Sequence, residues 1–279
     1  MDTNKIKISD IVDFLDSKIP LSWQESYDNA GLLYGHKEAD CTGIYICFDM
    51  NCKVIEDAIK NNCNFVLSHH PLVYKSLRKF TSEDNVTTTL LKAIENNVAL
   101  YASHTNLDSA ATMGVNTILA QKLNLKNIRP LHKEDITDKG YFGLGAIGEL
   151  EKEINATEFL KNVKNILNIH NIRYVSGKKD KIKTVALCGG SGMDFVDDAL
   201  RENVDCFLTG DIKYHQFLDC ENHILLADIG HFESENFIKE YLFSLLSEKF
   251  CNFVPLFLDN SANHNGKESK RRSSSKNRS

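Results

Sequence analysis

The chain has 279 residues, 42% of them hydrophobic and 25% charged, enough for one large or two small globular cores. Met1 to Lys7 lacks the apolar core of a signal peptide, and no run reaches the roughly 18 apolar residues of a spanning helix, so a cytoplasmic protein without membrane contact is expected. The formal net charge of −5 hides an asymmetry: Ser261 to Ser279 holds six Lys/Arg against Glu268 alone, which leaves the remainder near −10, an acidic body that argues against nucleic acid as partner.

In chain order, helix-period and strand-like apolar runs alternate. Helices are expected over 9–18, 52–61, 86–96 and 114–123, with strands between them over 43–48, 64–68 and 98–103. The pattern then restarts with a strand near 142–149, helix 156–167, strand 183–188, helix 194–202, strand 205–209, short helix 213–219, strand 223–228, helix 232–249 and a last strand 252–258. Such alternation implies βαβ units and mainly parallel sheets. The expected organisation is an α/β half over 1–127, a second over 128–260, and a disordered basic tail over 261–279 that is nearly free of apolar groups. Eight cysteines without a C-x-x-C pair, among them Cys47, Cys63, Cys188 and Cys206 inside apolar runs, read as buried free thiols.

The two halves look like copies. Residues 44–69 align without a gap on 185–210, so that Cys47 matches Cys188, Ala58 matches Ala199, and Phe65-Val66-Leu67-Ser68 matches Cys206-Phe207-Leu208-Thr209. The next strand of each half ends in a histidine followed four residues later by an acid, His104 with Asp108 and His231 with Glu235. Two related α/β halves facing each other follow from this duplication.

The strand ends carry the chemistry. Pro71 ends the run F65-V-L-S-H-H-P71, which leaves His69 and His70 in a turn beyond a strand, where α/β proteins bind ligands. Imidazole and carboxylate are ligands of Zn²⁺, Mn²⁺, Fe²⁺ or Ni²⁺, and a carboxylate can bridge two of them. A histidine and an acid four apart on a helix share a face. His69, His70, His104, Asp108, His231 and Glu235 are therefore candidates for one metal site.

The motifs Q24-E-S-Y-D28-N29-A-G31-L-L-Y-G35, L67-S-H69-H70-P71, S103-H104-T-N-L-D108, L208-T-G210-D211 and D228-I-G-H231-F-E-S-E235 resemble those of the GTP cyclohydrolase 1 type 2 homologues, the NGG-interacting-factor-like dinuclear metal proteins. The resemblance runs from about residue 8 to about residue 258. It implies two α/β domains around a dinuclear metal site, a homohexameric ring, and His69, His70, Asp108, His231 and Glu235 as ligands, with His104 beside them. The duplication makes His104 the counterpart of a ligand, whereas the resemblance leaves it free to exchange a proton; the second role is the one expected.

Two metals with this ligand set would support hydrolysis of a small anionic substrate, and the resemblance points to a GTP cyclohydrolase-like reaction. Tyr27, Asp28 and Asn29 are expected at a substrate rim. Gly189 and Gly190 in C188-G-G-S-G192 either meet a phosphate or make a tight turn, since the Lys-Ser/Thr of a nucleotide P-loop is missing. A non-catalytic metal chaperone or regulatory ring would share every ligand.

Overall fold

The computed structural model describes residues 5–137, 140–252 and 254–259. The helices are α1 (Ile8–Lys18), α2 (Cys52–Lys60), α3 (Asn85–Glu95), α4 (Thr105–Asp108), α5 (Val115–Lys122), α6 (Ala156–Ile166), α7 (Val196–Arg201), α8 (Tyr214–Cys220), α9 (His231–Glu235) and α10 (Ile238–Phe250). The strands are β1 (Gly31–Tyr34), β2 (Ile44–Cys47), β3 (Phe65–Ser68), β4 (Ala99–Ala102), β5 (Lys126–Thr137), β6 (Gly140–Asn155), β7 (Arg173–Val175), β8 (Lys181–Leu187), β9 (Cys206–Thr209), β10 (Leu225–Asp228) and β11 (Leu256–Leu258).

Strand β2 shows why the central strands read as unbroken apolar runs. Ile44 and Ile46 enter one core with α1 and α10, while Tyr45 and Cys47 enter another with α2 and α3. Both faces of the sheet are covered, so alternation is lost. The second sheet is covered likewise: Val185 and Leu187 pack with α6, and Ala186 with residues of α7 and α8. Helix α5 joins the two units, since Val115 belongs to the first core and Leu119 and Ala120 to the second.

The sheet orders are β1-β4-β3-β2-β11 and β5-β6-β8-β9-β10-β7. In the first, only β1 runs antiparallel to its neighbour. The second is mixed: β8, β9 and β10 are parallel, but β5, β6 and β7 pair antiparallel. The description "mainly parallel" thus holds for the first sheet and for the duplicated core of the second.

The chain does not divide cleanly at 127/128. That boundary falls inside β5, and the chain after α9 returns to the first unit, where α10 joins its core and β11 pairs parallel with β2. Lys239, buried on α10, donates to the carbonyl of Asp259 at 2.7 Å and so holds the end of this returning segment. The helix expected over 232–249 is two helices separated at Asn236 and Phe237. The basic tail over 261–279 lies outside the described residues.

Helix ends are set by local chemistry. Asn51, Asp84 and Asn155 accept hydrogen bonds from the first turns of α2, α3 and α6. Asn62, Asn97, Asn124, Asn168, Asn203 and Asn222 adopt the left-handed conformation just past α2, α3, α5, α6, α7 and α8. Asparagine tolerates that conformation better than other side-chain-bearing residues, so these helices stop without glycine.

Candidate metal centre

The C-terminal ends of β2, β3, β4, β8, β9 and β10 open onto one place between the sheets. His69 and His70 follow β3, Asp108 closes α4 beyond β4, and His231 and Glu235 begin and end α9 beyond β10. Glu235 is central. Its Oε2 lies 3.1 Å from His231 Nε2, 3.4 Å from His70 Nε2 and 3.8 Å from His69 Nε2. Asp108 Oδ1 is 3.6 Å from His69 Nε2, and the Nε2 atoms of His70 and His231 are 3.3 Å apart. His69, His70 and Glu235 each offer one donor atom within 4.8 Å of the others and could hold a metal ion.

The donor set fits a cation by two further tests. Donors about 2.0–2.2 Å from an ion in tetrahedral array are about 3.3–3.6 Å from one another, close to the separations seen. His69 Nε2, Asp108 Oδ1 and Glu235 Oε2 are buried without a hydrogen-bond partner. Leaving such atoms unsatisfied costs about 1–3 kcal/mol each, which a shared cation would offset.

Protonation tells the same story. Burial foremost, then the neighbouring Glu235 carboxylate, pushes the Asp108 carboxyl well above its usual range. Burial works against charge on His70 and His231, yet Asp49 and Glu235 raise His70 to about 10, and Glu235 and Asp211 raise His231 to about 9. Burial holds His69 down to about 3. Despite burial, the adjoining His231 and His70 imidazoles keep Glu235 ionised well below the usual carboxylate range. Protons thus balance the carboxylates here, and a divalent cation can displace them.

Each imidazole is oriented from behind. His69 Nδ1 meets the carbonyl of Ser103 at 2.8 Å, His70 Nδ1 meets Asp49 at 2.7 Å, and His231 Nδ1 meets Asp211 at 2.7 Å. This is how metal-binding histidines are usually fixed, with the other nitrogen turned to the ion. Asp49 and Asp211 were not among the residues singled out from the sequence. Their signal was available: each is an acid just past a strand end, and Asp211 lies within the L208-T-G-D211 motif.

His104 behaves differently. Its ring packs 5.4 Å from that of His69 and 5.3 Å from that of His70, but its Nδ1 bonds Asp28 at 2.8 Å. Register explains why it is no counterpart of His231. Ser68 pairs with Ala102 and Thr209 with Asp228, so β4 and β10 superpose with Ala102 on Asp228. His104 then falls on Gly230, the residue before α9, and Thr105 falls on His231.

The expected rim is only partly a rim. A cavity of about 390 Å³ opens beside the cluster, lined by Tyr27, Tyr74, His104 and Gly189 among others. The side chain of Asp28 is buried instead. It accepts from Thr105 N at 3.0 Å and Thr105 Oγ1 at 2.5 Å as well as holding His104. Despite burial, these bonds hold its carboxyl down to about 2. Asn29 ties two loops together through the carbonyl of Val73.

Gly189 and Gly190 make the tight turn, and their N–H groups are already engaged. Gly189 N donates to Asn116 Oδ1 and Gly190 N to Ser234 Oγ. Their lack of side chains serves Glu235: a Cβ on Gly190, whose φ is +62°, would stand 2.3 Å from Glu235 Oε1, and one on Gly189 3.1 Å from Glu235 Cγ. All eight cysteines are free, and Cys188 alone lines this cavity. No helix among the described residues is long and apolar enough to cross a membrane.

Two α/β sheet units joined across a buried histidine-carboxylate cluster define the class of protein. The chain belongs to the DUF34/NIF3 (NGG1p interacting factor 3) family, whose profile matches residues 6–263. It is 35% identical over 231 residues to a GTP cyclohydrolase 1 type 2 homolog of Clostridium acetobutylicum, covering 82% of this chain and 85% of that protein. Among solved structures, it resembles protein SA1388 of Staphylococcus aureus with a TM-score of 0.83 and 27% identity, over 95% of this chain and 99% of that one. It also resembles reduced HcgD from Methanocaldococcus jannaschii with a TM-score of 0.76 and 27% identity, over 92% and 99%.

Proposed function

We propose that the chain is a metal-dependent hydrolase that holds two divalent ions, of zinc, manganese, iron or nickel, and acts on a small nucleotide-like or phosphorylated substrate. The observation that carries this reading is the convergence of three buried, unpartnered donors with the Nε2 atoms of His70 and His231 beside an open cavity. Five donors exceed the needs of one tetrahedral ion, and Glu235, facing three imidazoles, is suited to bridge a pair. When bound, two such ions supply an activated water and stabilise charge on a leaving oxygen.

The chain's own residues supply the rest. Asp28 holds His104 Nδ1 and leaves Nε2 as the nitrogen available to the cavity, so His104 is the group that exchanges a proton with substrate. Thr105 locks Asp28 in turn. The name carried by the relatives supports a nucleotide-like substrate, and the family resemblance supports assembly into a homohexameric ring.

The test is to load the purified protein with Mn²⁺, Zn²⁺ or Fe²⁺, count metal per chain, and screen nucleotides and phosphoesters for turnover. About two ions per chain and metal-dependent turnover are expected. His104→Ala should keep both ions while losing about 10²–10⁴-fold in rate. A metal content near zero after loading overturns the reading; a fully loaded protein inert on every substrate returns it to a metal-handling role.

A further inference from the structure

The connection from β3 to α3 runs from His69 to Asp84, whereas its counterpart in the duplicated half, from β9 to α8, needs only Gly210 to Lys213. Connections in α/β units usually take about 2–6 residues, and longer ones without secondary structure are commonly functional. The stretch 74–80 of this loop is also out of keeping with the chain, with Glu83 and Asp84 the acids that follow it before α3. Tyr74, Lys75, Arg78, Lys79 and Phe80 are all exposed, on a body whose formal charge without the last nineteen residues is near −10. None of the three cations has an ion-pair partner among the described residues.

The loop starts at the cavity. Pro71 and Tyr74 line it. Asn29 Nδ2 donates to the carbonyl of Val73 at 2.6 Å and straps the loop to the segment that carries Tyr27. The rings of Tyr27 and Tyr74 meet edge to face at 6.4 Å, and Tyr74 stands 6.2 Å from His104. Tyr27 is 61% and Tyr74 46% exposed, an unusual outlay of aromatic surface for a loop that merely carries solvated lysines. Lys75 follows Tyr74 directly, and Arg78 lies within about 14 Å of it along the chain.

We infer that this loop forms a remote anion subsite. Lys75, Arg78 and Lys79 bind a phosphate that is not the reacting group, while an aromatic ring of the same ligand packs on Tyr27 and Tyr74. The ligand class is therefore a phosphorylated aromatic compound with a phosphate separated by its ring from the group presented to His104 and the cluster. The inference rests on the reading of the cavity as the reaction site and adds what selects the substrate there. Electrostatic capture outside the site also raises the rate of encounter for an anion approaching an otherwise acidic body.

The experiment measures binding of 5′-AMP and adenosine to the metal-loaded full chain by calorimetry at two salt concentrations. 5′-AMP should bind about tenfold or more tightly than adenosine, with an advantage that shrinks as salt rises. In Lys75→Ala/Arg78→Ala/Lys79→Ala the advantage should fall below about twofold while adenosine binds as before, and Tyr74→Ala should weaken both compounds. An advantage that survives the triple substitution overturns the subsite, as does equal binding of the two compounds by the unsubstituted protein. Loss of the advantage in a protein that turns nothing over would support the subsite and count against the hydrolase reading alone.

Discussion

Gly190→Ala is the sharpest perturbation of the centre, because the new methyl meets a ligand without replacing one. A Cβ at Gly190 would lie 2.3 Å from Glu235 Oε1, 3.0 Å from Glu235 Cδ and 3.2 Å from His231 Nε2. An ordinary carbon-oxygen contact is longer by about 1 Å, so the carboxylate must move by that much or the turn must open. A carboxylate-metal bond is only about 2.0–2.2 Å long, and a shift of 1 Å breaks it. Glu235 Oε2 is the atom on which three imidazoles converge, so the loss reaches the whole cluster. Metal affinity should fall at least as far as when a ligand's supporting contact is removed, about 10–100-fold. The left-handed φ of +62° adds about 1–2 kcal/mol of backbone strain for alanine, a melting shift of a few degrees for a chain of this size. Competition titration with a chromophoric chelator, beside a thermal melt, measures both. Unchanged metal affinity in a folded Gly190→Ala protein would refute the placing of Glu235 at the centre of the ligand set.

Further expectations follow from the same contacts. Glu235→Ala or Asp108→Ala should lose metal with a native circular dichroism spectrum, because the strands rather than their ends carry the core; unfolding would make the carboxylate structural. His70 and His231, raised to about 10 and about 9, carry protons at neutral pH when no metal is bound. Metal uptake must displace those protons, so apparent affinity should rise with pH up to about 10 and calorimetry in different buffers should report proton release; affinity flat across neutral pH would contradict this. Away from the centre, Asp205 accepts from Lys179 Nζ, the backbone N–H groups of Lys183 and Thr184, and Thr184 Oγ1. Burial opposes its charge, but these donors hold its carboxyl below the usual value. Its contribution is therefore present above the unfolded carboxylate value of about 3.9 and lost as pH falls through the lower folded one. Asp205→Ala should cost about 2–4 kcal/mol at neutral pH in a denaturant titration, with the gap to the unsubstituted protein closing in acid.

The parallel core was legible because every one of its strands is covered on both faces, so the apolar runs of 44–47, 65–68, 99–102 and 206–209 stood out against the helices. The strands that escaped are at edges or in hairpins. β7 has two of its three residues exposed, and β5 contains Pro130, which lowers any reading as a strand and is tolerated because β5 pairs on one side only. The five metal-ligand candidates come together at one place, since a strand end can be read from the residue that stops the strand. Their orienting acids were less legible because Asp49 and Asp211 face partners 21 and 20 residues away. Asp28 was misplaced at the rim for the same reason: its partners, His104 and Thr105, are 76 and 77 residues distant.

The duplication has been used asymmetrically, and register shows how. Ser68 superposes on Thr209, so His69 and His70 fall on Gly210 and Asp211. A side chain at Gly210 would meet the backbone of Gly190 and His231 at 2.7 Å, which excludes a ligand there. At the next position the first half supplies His70, and the second supplies Asp211, which orients His231. At the first residue of the helix after the following strand, Thr105 and His231 are equivalent: one locks the Asp28 carboxylate and the other faces the cluster. Equivalent backbone positions thus differ in role: one of each pair faces the centre, while the other is bare, orients a donor or locks Asp28. That division is what a site between two similar halves requires, because two identical shells of imidazoles would crowd one cavity with like charge and leave no carboxylates behind them.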